Sequence, residues 1–211
     1  MKKKNVNIDD YWKEIIEGYR LSEKQTEQFK TYLSLIQDWN EKINLTAITD
    51  TPGIIKYHFI DSLMISNFVD FDQNKSICDI GTGAGFPGIP IKILRPDIKL
   101  ILIEVNNKKI RFLQKVIANL QLENVEVCPL DWRTFLRQTA HDIDLFFARA
   151  SLQPEELIRV FSPISPYKNA TLVYWASRGW EASNKVIPFI EKQELYKIHN
   201  KKRKLVFLRS A

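Results

Sequence analysis

The 211-residue sequence is poor in several residue types on which particular chemistries depend. It has two cysteines, Cys78 and Cys128, and neither a CxxC nor a His/Cys cluster. Neither a disulfide framework nor a zinc site is indicated, and both thiols read as reduced core residues in strands. Three histidines are present, His58, His141 and His199. They belong to no Ser/His/Asp or Cys/His constellation, so general acid–base or nucleophilic chemistry has no evident carrier. No apolar run approaches the ~20 residues of a membrane span. The opening MKKKNVNIDD is charged and lacks the apolar stretch of a signal peptide, so a cytoplasmic location with no membrane partner is expected. Glycine numbers only seven, yet four of them, Gly81, Gly83, Gly85 and Gly88, fall within eight residues.

The remaining composition is that of a globular chain, 45% hydrophobic and 27% charged. Net charge is +6 with a pI near 9.2, which suits a polyanionic partner. The positive charge clusters at lysines 2–4, at Lys108, Lys109 and Arg111, and in KKRK at 201–204. The last of these is expected to be a solvated turn away from the site.

Hydrophobic periodicity divides the chain near VDFDQNK, residues 69–75. Before it the pattern is helical. IDDYWKEIIEGY forms one helix, and SEKQTEQFKTYLSLIQDWNEKI a second, with Phe29, Tyr32, Leu33, Ile36 and Ile43 on a 3.6-residue period and Ser22 and Gln25 as a capping box. Thr51 and Pro52 read as the N-cap and first-turn proline of a third, PGIIKYHFIDSLMISNF. From residue 76 short apolar runs alternate with helical ones: SICDI, KLILIEV, NVEVCPL, DIDLFFAR and NATLVYW, then QELYKIH and KLVFLRS separated only by a short basic stretch. The expected fold is α/β: a doubly wound, mainly parallel sheet closed by an antiparallel C-terminal hairpin, behind an N-terminal helical extension. The expected division is 1–70 for the extension and 71–211 for the sheet domain, forming one compact unit.

In such a sheet ligands bind past the carboxyl ends of the strands, and SICDIGTGAGFPGIPIKIL supplies the first strand, its turn and the next helix. A phosphate-binding P-loop is excluded, because no Lys-Ser or Lys-Thr follows the glycines. A dinucleotide GxGxxG fits at Gly83, Gly85 and Gly88, though later after the strand than that fold requires. An S-adenosylmethionine site fits as an acid followed by GxGxG: Asp79, Gly81, Gly83 and Gly85. Glycine there lets the backbone approach the ligand. Glu104, ending the second strand in LILIEV, is placed to accept both ribose hydroxyls; a nicotinamide enzyme would want the same acid.

WNEKINLTAITD, HFIDSL and DIGTGAGFPGIPIKIL occur in that order, followed by KKIRFLQKVIANLQLENVEV and FFARASL. From about residue 8 onward the chain closely resembles the bacterial 16S rRNA (guanine-N7) methyltransferase G family, also called glucose-inhibited division protein B. The resemblance implies a class I, Rossmann-like methyltransferase fold with S-adenosylmethionine as cofactor. It implies 16S rRNA or the small ribosomal subunit as partner, and N7 of one guanine as acceptor. Carried over by position, the cofactor site would use Gly81, Phe86, Glu104, Trp132, Arg133 and Arg149. Two segments depart from the family pattern. In DWRTF, Asp131 stands where arginine is common and Arg133 where glutamate is common, which a backbone contact to adenine would survive. PYKNA and SRG replace a PGG turn and a Lys-Gly, with Arg178 keeping the charge.

Guanine N7 carries a lone pair and no proton, so no general base is expected and no catalytic residue is assigned; catalysis would be alignment and exclusion of water. Lys108, Lys109, Arg111, His58 and Arg178 are the RNA-contact candidates, and a monomer is expected. Two alternatives remain open at the level of sequence: a protein of this fold that binds RNA with little turnover, and a nicotinamide-dependent oxidoreductase.

Overall fold

The computed structural model describes residues 8–210; lysines 2–4 lie outside them. Seven strands form one sheet in the order β3-β2-β1-β4-β5-β7-β6. They are β1 (Ser76–Ile80), β2 (Lys99–Ile103), β3 (Val125–Cys128), β4 (Leu145–Arg149), β5 (Thr171–Ser177), β6 (Ile190–Ile198) and β7 (Lys201–Leu208). The first five are parallel, β7 runs antiparallel to β5, and β6 runs antiparallel to β7. Strand order reverses between β1 and β4, the switch point where open sheets of this kind bind ligands. The central strands read as continuous apolar runs because helices cover both faces.

Alternate residues feed two cores. Ile77, Leu100, Leu102, Phe147 and Val173 face one way, and Cys78, Ile80, Ile101, Phe146 and Leu172 face the other. The N-terminal helices share the first core: Ile15 from α1 (Ile8–Tyr19) and Phe29, Tyr32 and Ile36 from α2 (Glu23–Ile43) are fully buried there. This common core supports the proposal that 1–70 and 71–211 are one compact unit. Ser22 and Gln25 form the expected capping box, and the Gln25 amide also donates to the carbonyls of Ile93 and Leu94, at 2.8 and 3.0 Å. One side chain thus starts α2 and satisfies carbonyls at the end of the helix Gly88–Leu94.

Two expectations shift. The cap of the third helix is Asp50, whose carboxylate accepts from Gly53 N at 2.7 Å, and Thr51 is the first helical residue. The carboxylate meets the free amide three residues on, and Pro52 still lies in the first turn. That helical stretch, 51–67, also widens to a π turn over Ile55–Ile60, which contains His58. KKRK is not a turn either. The hairpin turns at His199 and Asn200, and the basic residues open β7 itself, with Arg203 opposite Ser177 at the end of β5. Because β7 lies beside β5 and runs the other way, its first residues lie at the ligand-binding edge. Among the described residues no helix is long and apolar enough to cross a membrane.

Candidate active site

The glycine turn after β1 is left-handed at Gly81 (φ +63°), Gly83 (φ +62°) and Gly85 (φ +96°), a backbone region glycine enters without penalty. The first two do opposite work. A Cβ on Gly81 would meet Ser151 Cβ at 2.7 Å, whereas a Cβ on Gly83 would meet nothing within 4 Å. Gly81 therefore lets the loop after β4 come close, and Gly83 opens onto free space. Tyr32 of α2 holds the turn from below by donating to the carbonyl of Ala84.

Asp79 braces this turn rather than facing a ligand. It is fully buried, and Oδ2 accepts from Thr82 Oγ1 at 2.7 Å and from Gly88 N at 2.8 Å, tying together the two ends of the loop. Burial pushes its pKa up to about 6, against the opposing pull of those two hydrogen bonds and of Arg149. Gly85 is likewise turned inward, against Ile89 and the Tyr32 hydroxyl. Neither residue lines either of the two cavities at this edge of the sheet: the same motif places Gly83 outward and Asp79 and Gly85 inward.

Glu104, directly after β2, is 7% exposed. Oε2 accepts from Gly83 N at 3.0 Å and Oε1 from Asn106 N at 2.9 Å. These two amides fix the plane of the carboxylate, and each oxygen keeps a lone pair for a further donor. Glu104 borders a first cavity of about 460 Å³ with apolar walls from Ile80, Ile103, Leu130, Leu152 and Trp132. Trp132 is held in place by its indole N–H, which donates to Glu156 O at 3.1 Å. Arg133 reaches the same cavity, but its guanidinium is forked onto Glu156 at 2.6 and 2.9 Å. The unusual Asp131 caps the helix Trp132–Gln138, accepting from the amides of Arg133 and Thr134 at 3.0 and 3.1 Å. The Arg133 backbone N–H is thereby engaged in the cap.

The donor set fits S-adenosylmethionine. A flat apolar slot suits adenine, a pre-aimed carboxylate suits a ribose diol, and the open side of Gly83 admits close approach to the backbone. The first cavity meets a second, of about 530 Å³, at Gly81, Lys109 and Ala150, which border both. Ala150 itself adopts a left-handed φ of +53° where the chain leaves β4.

The second cavity is walled by Phe86, His58, Arg149, Tyr174, Trp175, Trp180 and Arg203. Arg149 belongs here rather than with the adenine slot. It donates to Asp61 Oδ2 at 3.2 Å, to Ser62 Oγ at 3.3 Å and to His58 Nδ1 at 3.1 Å, and its guanidinium lies 5.2 Å from the Phe86 ring. Asp61 is paired at both oxygens, with Arg149 on Oδ2 and the Tyr196 hydroxyl on Oδ1 at 2.8 Å. His58 stacks on Phe86 at 4.4 Å and 11°, and its other nitrogen meets Thr46 Oγ1 at 2.8 Å. Since Nδ1 accepts from arginine, the ring proton sits on Nε2. Burial first, then the charges of Arg149 and Arg203, lower the His58 pKa to about 3, so the ring is a neutral wall.

Of the other RNA-contact candidates, half-buried Lys109 lines both cavities, while Lys108 and Arg111 are exposed on the same helix, Asn107–Asn119, and line neither. Arg178 is exposed just after β5 and lines neither. Sequence reasoning missed Asp61, Tyr174, Trp180 and Arg203. Asp61 stands three residues after His58 in HFIDSL, so that motif held the signal; the other three carry none without the strand order.

Residues 25–209 match the model of the family described as rRNA small subunit methyltransferase G. The chain belongs to that family. It is 39% identical over 162 residues to ribosomal RNA small subunit methyltransferase G of Bacillus subtilis (strain 168), spanning 75% of this chain and 68% of that one. It is 50% identical over 108 residues to the protein of the same name from Lysinibacillus sphaericus (strain C3-41), 51% of this chain and 45% of that one. Among solved structures, a SAM dependent methyltransferase from Aquifex aeolicus superposes with a TM-score of 0.54 at 15% identity, covering 74% of this chain and 93% of that one. The sheet is that of the class I S-adenosylmethionine-dependent methyltransferases, with the family's N-terminal helices packed on one face.

Proposed function

We propose that the chain transfers a methyl group from S-adenosylmethionine to N7 of one guanine in 16S rRNA. It would meet the naked rRNA or the small ribosomal subunit in the cytoplasm, as a single copy. The observation that carries this reading is the junction at Gly81, Lys109 and Ala150 between an apolar slot ending in Glu104 and a larger aromatic and basic cavity. One side suits a nucleoside cofactor and the other a nucleobase.

When bound, S-adenosylmethionine supplies an activated methyl group on a sulfonium sulfur. The residues of this chain hold and orient. Glu104 would accept the ribose hydroxyls, Trp132 and the neighbouring aliphatic side chains would enclose the adenine, and Gly81, Gly83 and Phe86 would bring the backbone and one ring against the methionine end. Arg133 would border the adenine through its stem. Arg149, held by Asp61, would fix His58 and Phe86 as one wall of the acceptor cavity. The N7 lone pair attacks without losing a proton, so a neutral His58 with both nitrogens engaged is consistent with a site that needs no base. Its contribution is alignment and the exclusion of water.

Transfer of tritiated methyl to unmodified 16S rRNA, offered naked and in small subunits, tests the reading. Label in one guanine, released as 7-methylguanine, is the expected result. S-adenosylhomocysteine should raise the melting temperature, by ~2.7 kcal/mol of stabilisation at a hundredfold excess over its dissociation constant. No transfer, or stabilisation by NAD in its place, would overturn it.

A further inference from the structure

The two arginines of the second cavity differ in what surrounds them. Arg149 is ion-paired with Asp61 and hydrogen-bonded to Ser62 and His58. Arg203, on β7, has a buried Nε without a hydrogen-bond partner, and its guanidinium forms no ion pair among the described residues. A guanidinium partly withdrawn from water with unused donors is a receptor for an anionic oxygen. Beside it, Trp180 and Tyr174 border the same cavity with ring centroids 5.5 Å apart at 59°. Lys204 lies across the Trp180 ring at 5.9 Å and donates to the Trp180 carbonyl at 3.2 Å. An indole that borders the same cavity as a guanidinium with unused donors is the combination by which single-stranded RNA is held, base on ring and phosphate on charge.

Two anions could meet Arg203, a phosphate of the RNA or the carboxylate of the cofactor's methionine end. The glycine turn and Arg203 border the same cavity, and the strand order favours the phosphate. β7 stands three strands from β1, ~14 Å at ~4.8 Å per strand, and on the far side of Arg149 from the glycine turn. Guanine N7 must also stay free for the methyl group, which excludes the usual arginine fork onto O6 and N7.

We propose that Arg203 and Trp180 form the binding site for the target nucleotide, the guanidinium taking a phosphate oxygen of the RNA and the indole stacking on a base. This rests on the methyltransferase reading above, and it assigns the KKRK segment to the substrate.

The test uses the full chain with a fragment of unmodified 16S rRNA. Arg203→Gln should leave S-adenosylhomocysteine affinity within about twofold. RNA binding should show a log–log salt slope shallower by about 0.7 to 0.9, one phosphate contact. Methyl transfer per RNA encounter should fall at least tenfold. Arg203→Lys should keep the slope but not the rate; it carries the test alone if the glutamine variant does not fold. Trp180→Ala should weaken RNA binding roughly tenfold, with Trp180→Phe close to wild type. Loss of S-adenosylhomocysteine affinity with an unchanged salt slope would move Arg203 to the cofactor and overturn the proposal, as would RNA binding and transfer unaffected by either substitution. Absence of methyl transfer by the wild-type chain would instead strike the methyltransferase reading, while the salt slope would still decide the phosphate contact.

Discussion

The two cavities share a wall, yet they are assembled in different ways. The first is lined by the ends of four neighbouring parallel strands: its floor and acid come from β1 and β2, its remaining walls from the segments after β3 and β4, and backbone amides hold the Glu104 carboxylate. The second is built from segments far apart in the chain: the π turn at His58, the end of β4, the end of β5 and the start of β7. Its organising contact, Arg149 to Asp61, spans 88 residues. The backbone shapes one cavity and buried side-chain charge shapes the other, so they should fail differently when perturbed.

The largest expected effect is at the turn. Gly83→Val places a branched side chain in open space at φ +62° and should reduce S-adenosylhomocysteine binding by at least ~100-fold, read by calorimetry, with the far-ultraviolet spectrum retained. Normal binding would show that the open side of the turn is not where the cofactor lies. Next comes the charge pair. Arg149→Met leaves Asp61, 4% exposed in its side chain, without its cation. It should destabilise the fold by about 3 kcal/mol in urea unfolding, with Asp61→Asn partly restoring stability in the double variant. Additive losses would mean that the pair does not organise the second cavity.

This contrast also explains what could be read from the sequence. A strand, a glycine turn and the next helix are contiguous, so DIGTGAG located the first cavity, and the acid after β2 followed from the same logic. The capping box at Ser22 and Gln25 and the antiparallel hairpin were legible for the same reason: each is a short-range pattern. Which members of the glycine motif face open space was not legible. Asp79 and Gly85 sit at motif spacing but point into the core, and only packing against Tyr32, Ile89 and Gly88 decides that. Nor could KKRK be placed, since a basic run reads as solvated until β7 is known to lie between β5 and β6. Asp131 is intermediate: the departure at DWRTF was visible, but its role as a helix cap required the helix.

Smaller effects sharpen the comparison. Lys108 and Arg111 are exposed and line neither cavity, whereas Lys109 lines both. Replacing Lys108 and Arg111 together should flatten the salt dependence of RNA binding by up to ~1.5 log–log units, at about 0.7 to 0.9 per contact, with cofactor affinity unchanged. Lys109→Gln should disturb both. An unchanged slope in the first variant would leave that helix face merely solvated.

The last effect is a pH dependence. His58 is held neutral when folded, with its pKa lowered to about 3, while the unfolded chain protonates near 6.5. The unfolded state therefore binds more protons between these values, and His58 removes stability as pH falls from about 6.5 toward 3. Asp79, raised to about 6 by burial, acts with the opposite sign between about 6 and 4, because its folded form holds the proton more tightly. Comparing wild type with His58→Gln isolates the histidine: the stability difference should narrow as pH drops through this window. A constant difference would mean that the ring is not buried as a neutral wall.

The division of labour between the cavities comes down to one atom, the N7 that must reach across the junction with its lone pair free. A 16S rRNA fragment carrying 7-deazaguanine at the modified position keeps the base, its stacking and its phosphates but replaces that nitrogen with carbon. The account predicts that this RNA binds with near-normal affinity and accepts no methyl group, while the unmodified fragment is labelled. Normal methylation of the deaza substrate would contradict it.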